Sequence, residues 1–147
     1  MCNKMTASLK EQILYSLKNT NCRIKSSPIE GVGVFAIKDI PEDTKLFTGS
    51  PEKSFETISI DELEGCEPEV VEMVKGFFAS EKNGKYWIPD GGLNAIDISF
   101  FLNHSENPNV TTTADGDTFY AARDIAKGEE LTTSYTLFDA GFDPHRI

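Results

Sequence analysis

The side chains with most chemical capacity crowd into one short stretch, "FFLNHSENPNV" at 100–110. Asn103, His104, Ser105, Asn107 and Asn109 stand directly behind Phe100, Phe101 and Leu102. An imidazole beside a hydroxyl suggests nucleophilic hydrolysis. However, Ser105 is the immediate neighbour of His104, and no Gly-x-Ser-x-Gly elbow occurs. Metal ligation would need Cys, His or carboxylates in step with His104, and the chain has only two His. Asn and Ser also hydrogen-bond their own backbone, and Asn107-Pro108 favours turn initiation. Taken alone, the stretch reads as a strand end and a loop.

Two further segments could carry chemistry. "GVGVF" at 31–35 lacks the third Gly and the following helix of a dinucleotide site. Its glycines either bend a strand or let the backbone approach a ligand closely. "GEELTTSY" at 128–135 ends on Tyr135. A Tyr closing a strand is either core with its hydroxyl at the rim or a catalytic group.

The elements that must position these residues are short. "SLKEQILYSLKN" places Leu9, Ile13, Leu14 and Leu17 on one stripe, and Ser8 with Glu11 forms a capping box, so 8–19 reads as an amphipathic helix. "CRIKSS" reads as a strand. "GVGVFAIKDIPEDTKLFTG" reads as strand, turn and strand, turning at Pro41-Glu42-Asp43. The character changes over 50–96. There Ser59 with Glu62 is a second cap, "PEVVEMVKGFF" has helical spacing behind Pro68, and "KYWIP" is a strand candidate. "NVTTTADGDTFYAARDI" predicts a hairpin turning at Asp115-Gly116, and "EELTTSY" a last strand. The sum is an α+β class with β predominating.

Bulk properties narrow the partners. A chain of 147 residues with 39% hydrophobic residues predicts one domain with a real core. A net charge of −10 argues against nucleic acid and against an anionic membrane surface, and favours a basic protein or peptide. Cys2, Cys22 and Cys66 form no CxxC pair, which points to an intracellular protein without a disulfide framework or zinc site. No apolar run reaches the roughly 20 residues of a membrane helix.

Four segments in this order resemble the SET-domain family of protein-lysine methyltransferases. "GVGVFA" is similar to the family's Gly-x-Gly motif and "FTG" at 47–49 to its Tyr-x-Gly. "FLNHSENPNV" is similar to Asn-His-Ser-x-x-Pro-Asn, and "GEELTTSY" to Gly-x-Glu-Leu-Thr-x-x-Tyr. The resemblance implies a β-clip-like fold of several small sheets with a C-terminal pseudoknot, in which the Asn-His-Ser segment threads beneath the final part of the chain. It also implies a single domain over 1–147, with 50–96 as a variable insert and 136–147 as a C-terminal lid. The cofactor implied is S-adenosylmethionine, held by Gly31, Val32, Gly33, Phe35, Asn103, His104, Tyr135 and Phe138. Tyr135 is implied as catalytic. Phe47, Thr133 and Phe142 would complete the lysine channel around it, and Glu130 and Leu131 would set the strand presenting it. The substrate implied is a lysine in a basic tail, with histones leading.

Departures from the family pattern bear on the product. Glu106 stands where many members have Cys, and no Cys follows Cys66, which excludes a zinc-binding C-terminal module. Phe47 replaces Tyr, Thr133 a channel aromatic, and Ser134 the usual Asp. Two other readings stay open at this point. One is a SET-fold module that recognises lysine-rich peptides without turnover. The other is an unrelated β-rich interaction domain whose motifs are turns.

Overall fold

The computed structural model describes residues 7–48, 52–113, 118–137, 139 and 141. Helix α1 (Leu9–Lys18) begins where Ser8 Oγ accepts the Glu11 N–H at 3.1 Å. Glu11 turns its carboxylate to the Ser8 hydroxyl at 3.2 Å, so only one side of the capping box reaches the backbone. The apolar stripe of α1 does not enter the core. None of its residues is buried, and Leu9 is 71% and Leu17 65% exposed. Cap and periodicity suffice to form the helix; they do not decide what it packs against.

The central sheet has the order β1-β2-β8-β5. Strand β1 (Cys22–Ser26) pairs antiparallel with β2 (Val32–Ala36), from Cys22 opposite Ala36 to Ser26 opposite Val32. Strand β8 (Glu130–Thr133) lies antiparallel to β2, with Leu131 opposite Val34 and Glu130 opposite Phe35. The two-residue strand β5 (Asn103–His104) runs parallel to β8, Asn103 opposite Thr132 and His104 opposite Thr133. Within the opening stretch only Asn103–His104 is strand and 105–109 is loop, which matches the local reading of a strand end and a loop.

Side-chain alternation splits this sheet into two faces. Cys22, Val34, Ala36 and Leu131 join Ile40, Leu46, Leu102, Val110, Ala121 and Ile125 in the core. Glu130, Phe35 and Gly33 lie on the opposite face. The expected strand after the Pro41 turn is reduced to a single bridge, Lys45 with Tyr120, and Ile40 ahead of the turn bridges Ile125. Asp43 takes a left-handed φ of 67° there, and Thr44 Oγ1 donates to the Pro41 carbonyl at 2.7 Å, which bends the chain before a ladder can extend. Strands β6 (Val110–Thr112) and β7 (Phe119–Ala121) form the expected hairpin; its Asp115-Gly116 turn lies outside the described residues.

Within 50–96, β3 (Phe55–Ile58) and β4 (Tyr86–Pro89) form a two-stranded sheet around helix α2 (Pro68–Phe77). Pro68 sits in the first turn, where its missing N–H costs nothing. The Ser59 N–H donates to Glu62 Oε2 at 2.9 Å as the sequence suggests. Aromatic contacts tie this region to the stretch ahead of β5. Phe77 meets Phe101 edge-on at 5.6 Å and Phe78 meets Phe100 at 5.7 Å. Lys53 Nζ also bridges to Asp97 at 2.6 Å, in a pair largely shielded from solvent. Among the described residues no helix is long and apolar enough to cross a membrane.

Candidate active site

The site is built where β5, β8 and the β1–β2 turn converge. Asn103 supplies the first link. Its Nδ2 lies 2.9 Å from Glu130 Oε2, 3.1 Å from Ser27 Oγ, 3.2 Å from the Glu30 carbonyl and 3.4 Å from the Val32 carbonyl. Two amide protons thus face four acceptors, and all four lie within this chain. Asn103 is a bridge between strand β8 and the Gly31–Val32 turn.

His104 supplies the second link. Its Nδ1 accepts the Tyr135 N–H at 3.0 Å, so the ring proton sits on Nε2. The His104 and Tyr135 rings are 5.3 Å apart and tilted. Tyr135 opens a single helical turn, Tyr135–Leu137, straight after β8, and its hydroxyl donates to the Leu102 carbonyl. Burial pushes the phenol up to about 12, helped by the negative charges of Glu30 and Asp139. The hydroxyl therefore stays protonated at physiological pH and acts as a donor.

Asn109 supplies a third link, one that its turn-forming character conceals in the sequence. The residue is buried; its Nδ2 donates to the Glu130 carbonyl and its Oδ1 accepts the Thr132 N–H, both at 2.8 Å. The segment that provides β5 thus also clamps β8 from the side. Ser105 adds a backbone bond to the Thr133 carbonyl at 3.0 Å.

The remaining expected residues divide. Gly31 has a φ of +45° with nothing within 4 Å of a built Cβ, and Val32 is 42% exposed. Among the described residues nothing stands over this turn, whose Glu30 and Val32 carbonyls face Asn103 Nδ2. Phe35 is buried, with Lys25 Nζ 4.5 Å above its ring, on the sheet face opposite the core. Phe47 packs edge-on against Phe119 at 5.8 Å and takes a φ of 58°, a conformation bulky residues rarely hold. Thr133 is fully buried, and its hydroxyl has no hydrogen-bond partner among the described residues. Phe138 and Phe142 lie outside the described residues.

Two contributors carry no sequence signal of their own. Ser27 Oγ is 2.8 Å from both Glu130 carboxylate oxygens. Asp139 Oδ1 accepts from Ser80 N at 2.9 Å, Ser80 Oγ at 3.0 Å and Gly141 N at 3.2 Å, docking the chain after Tyr135 onto the 50–96 region. Among the described residues no three Cys, His, Asp or Glu gather as a metal site.

Among curated proteins none matches. A chain of Chaetomium thermophilum Polycomb Repressive Complex 2 is similar at 26% identity and a TM-score of 0.52, over 79% of this chain. The same complex in an autoinhibited conformation bound to S-adenosylmethionine matches at 26% identity and 0.51. This chain spans only 15% of each of those chains. A Plasmodium falciparum protein described as a candidate histone methyltransferase is 22% identical over 80% of this chain and 94% of its own, with a TM-score of 0.46. The SET-domain family model matches residues 31–136, well over half of the sequence and all four motifs. The chain belongs to the SET-domain family.

Proposed function

We propose that this chain is an S-adenosylmethionine-dependent protein-lysine N-methyltransferase acting on a lysine in a basic tail, with histones the first candidates. The observation that carries the reading is the convergence of Gly31–Val32, Asn103, His104 and Tyr135 at the junction of β5 and β8. The Chaetomium complex that binds S-adenosylmethionine shares this fold. An acidic protein of charge −10 suits a Lys-rich target.

The residues present fit the cofactor. The open turn at Gly31 offers backbone without an obstructing side chain, beside the half-buried Asn103 and His104. When bound there, S-adenosylmethionine supplies an electrophilic methyl on a cationic sulfur. The protein's own contribution is to orient and to dry the site. A lysine amine has a pKa of about 10.4 in water and must lose its proton to act as a nucleophile. An apolar channel disfavours the ammonium, so no dedicated base is required and the proton leaves to water. Tyr135, held protonated, gives its single O–H to the Leu102 carbonyl and positions the reacting groups through its oxygen lone pairs; it does not take the proton. In-line orientation of this kind is worth up to roughly 7–11 kcal/mol.

The single domain spanning 1–147, the insert over 50–96 and the lid over 136–147 are part of this proposal. The tie from Asp139 to Ser80 supports a lid that rests on the insert. Phe138 and Phe142 belong to it as cofactor and channel aromatics, with Phe47 and Thr133 lining the channel from the body. Calorimetry with S-adenosylmethionine, followed by radiolabelled methyl transfer to histones and to a whole lysate, tests the reading. Binding with transfer is expected. Binding without transfer would leave a lysine-recognition module instead, and absence of both would reject the reading.

A further inference from the structure

The Gly-x-Gly motif contains two glycines with different physical reasons to be glycine. Gly31 needs its φ of +45°, and no side chain stands over it. Gly33 is the reverse case. Its φ lies outside the left-handed region, in the middle of β2, so its backbone would accept any L-residue. Its Cβ position is instead already filled. A Cβ built there overlaps the Glu130 carboxylate and comes within 3.0 Å of Ser27 Cβ.

The Glu130 carboxylate is held tightly in that place. Ser27 Oγ donates to it at 2.8 Å and Asn103 Nδ2 at 2.9 Å. Ser27 Oγ also accepts the Ile29 N–H at 3.0 Å, and the Ser27 N–H bonds the Gly31 carbonyl at 2.8 Å, closing the β1–β2 turn. One carboxylate, carried on β8, therefore touches the β1–β2 turn with the start of β2, and Asn103 of β5, stretches far apart in sequence. Ser27 Oγ and Asn103 Nδ2 meet each other and both meet this carboxylate, so the three side chains form one network linking the Gly31 turn to the strand that leads into Tyr135.

We propose that Glu130 is a positioning residue of the cofactor wall, and that Gly33 is glycine to admit its carboxylate, not to admit the cofactor. The inference rests on the proposed function for the word "cofactor" and on the geometry alone for the packing. In consequence the Gly31 turn and Asn103 are placed through Glu130, and loss of that carboxylate displaces both.

A double-mutant cycle tests it. Gly33→Ala should lower the urea midpoint and weaken S-adenosylmethionine binding by roughly tenfold or more, since contacting residues couple by factors of this size. Glu130→Asp withdraws the carboxylate by one methylene while keeping its charge, and should cost less. Combining Gly33→Ala with Glu130→Asp should recover both readouts to within about threefold of Glu130→Asp alone. A double variant as poor as Gly33→Ala overturns the proposal, because something other than Glu130 then forbids the methyl. Gly33→Ala with unchanged stability and lost binding also overturns it, and assigns Gly33 to the cofactor. If wild-type protein binds no S-adenosylmethionine, the functional reading fails while the stability arm still decides the Gly33–Glu130 packing. Should Gly33→Ala not fold, Glu130→Gln is measured in its place. That variant keeps one acceptor for Asn103 Nδ2 but loses the charge and the second carboxylate oxygen, so weakened cofactor binding exceeding the change in midpoint supports the positioning role. Unchanged binding refutes it.

Discussion

Replacing Asn109 with Ala isolates the clamp on β8. The side chain is buried and satisfies two backbone groups of β8 at once, the Glu130 carbonyl and the Thr132 N–H, each at 2.8 Å. Truncation leaves both groups buried without a partner, at about 1–3 kcal/mol each. Water entering the space recovers part of this, so the expected loss is roughly 2–4 kcal/mol. With a urea m-value of about 1–3 kcal/mol/M, the midpoint falls by on the order of 1–2 M. Urea unfolding followed by the fluorescence of the single Trp, Trp87, measures it. Amide exchange at Thr132 should accelerate strongly, because its Asn109 acceptor is gone. Asn109→Asp gives a finer test. It keeps an acceptor for Thr132 but faces the Glu130 carbonyl with a lone pair, so the introduced carboxyl has a raised pKa. Protonation then restores the donor, and stability relative to wild type should rise as pH falls. A midpoint unchanged in Asn109→Ala, with Thr132 exchange unaltered, would refute the clamp.

Other expectations follow from the same geometry. Tyr135→Phe should remove most turnover with cofactor affinity nearly intact, and wild-type kcat in that variant would remove Tyr135 from the mechanism. With the Tyr135 phenol pushed up to about 12, the stability tied to its protonated form is fully present below pH 10 and lost as pH rises through 12, so kcat should show no inflection from this group below about pH 10. Asp139→Ala should lower the Tyr135 titration, read by ultraviolet absorbance, and weaken cofactor binding several-fold if the 139–141 segment serves as a lid. Cys66 is exposed and Cys22 is core with its thiol raised to about 11, so iodoacetamide should label Cys66 well ahead of Cys22 in the folded protein, scored by peptide mass spectrometry.

The fold class and most element positions were legible in the sequence, because short periodic runs bounded by Ser caps, Pro and Asx turns carry their own local physics. The β2 strand, the 110–121 hairpin and helix α2 are of this kind. Long-range consequences were not legible. The stripe of α1 is as regular as that of α2, yet only α2 buries a residue, Val74, because burial depends on what lies opposite. In the site, Asn103, His104 and Tyr135 stood out as residue types and do meet. Glu130 stood out as a motif residue setting its strand, but not as a side chain that packs against Gly33. Ser27 and Asp139 did not stand out; a serine in a turn and one acid among 24 look like solvated surface until tertiary structure aims them inward.

The opening stretch reconciles its two readings through the chemistry of the amide. Its strand β5 is only two residues long, which allows few ladder bonds to β8. A parallel pair so short would be weak, since parallel pairing is already less stable per residue. Asn side chains carry the same donor and acceptor as a peptide group. Asn109 uses both on the β8 backbone, and Asn103 extends its donors to Glu130 and to the Gly31 turn. Side-chain amides thus supply the rungs that the backbone lacks. The property that marks these residues as turn formers, bonding to nearby backbone, is the one that holds a two-residue strand in the centre of the site. A longer strand of β-branched residues would pair with β8 equally well, but it would leave no amide to reach across to the turn.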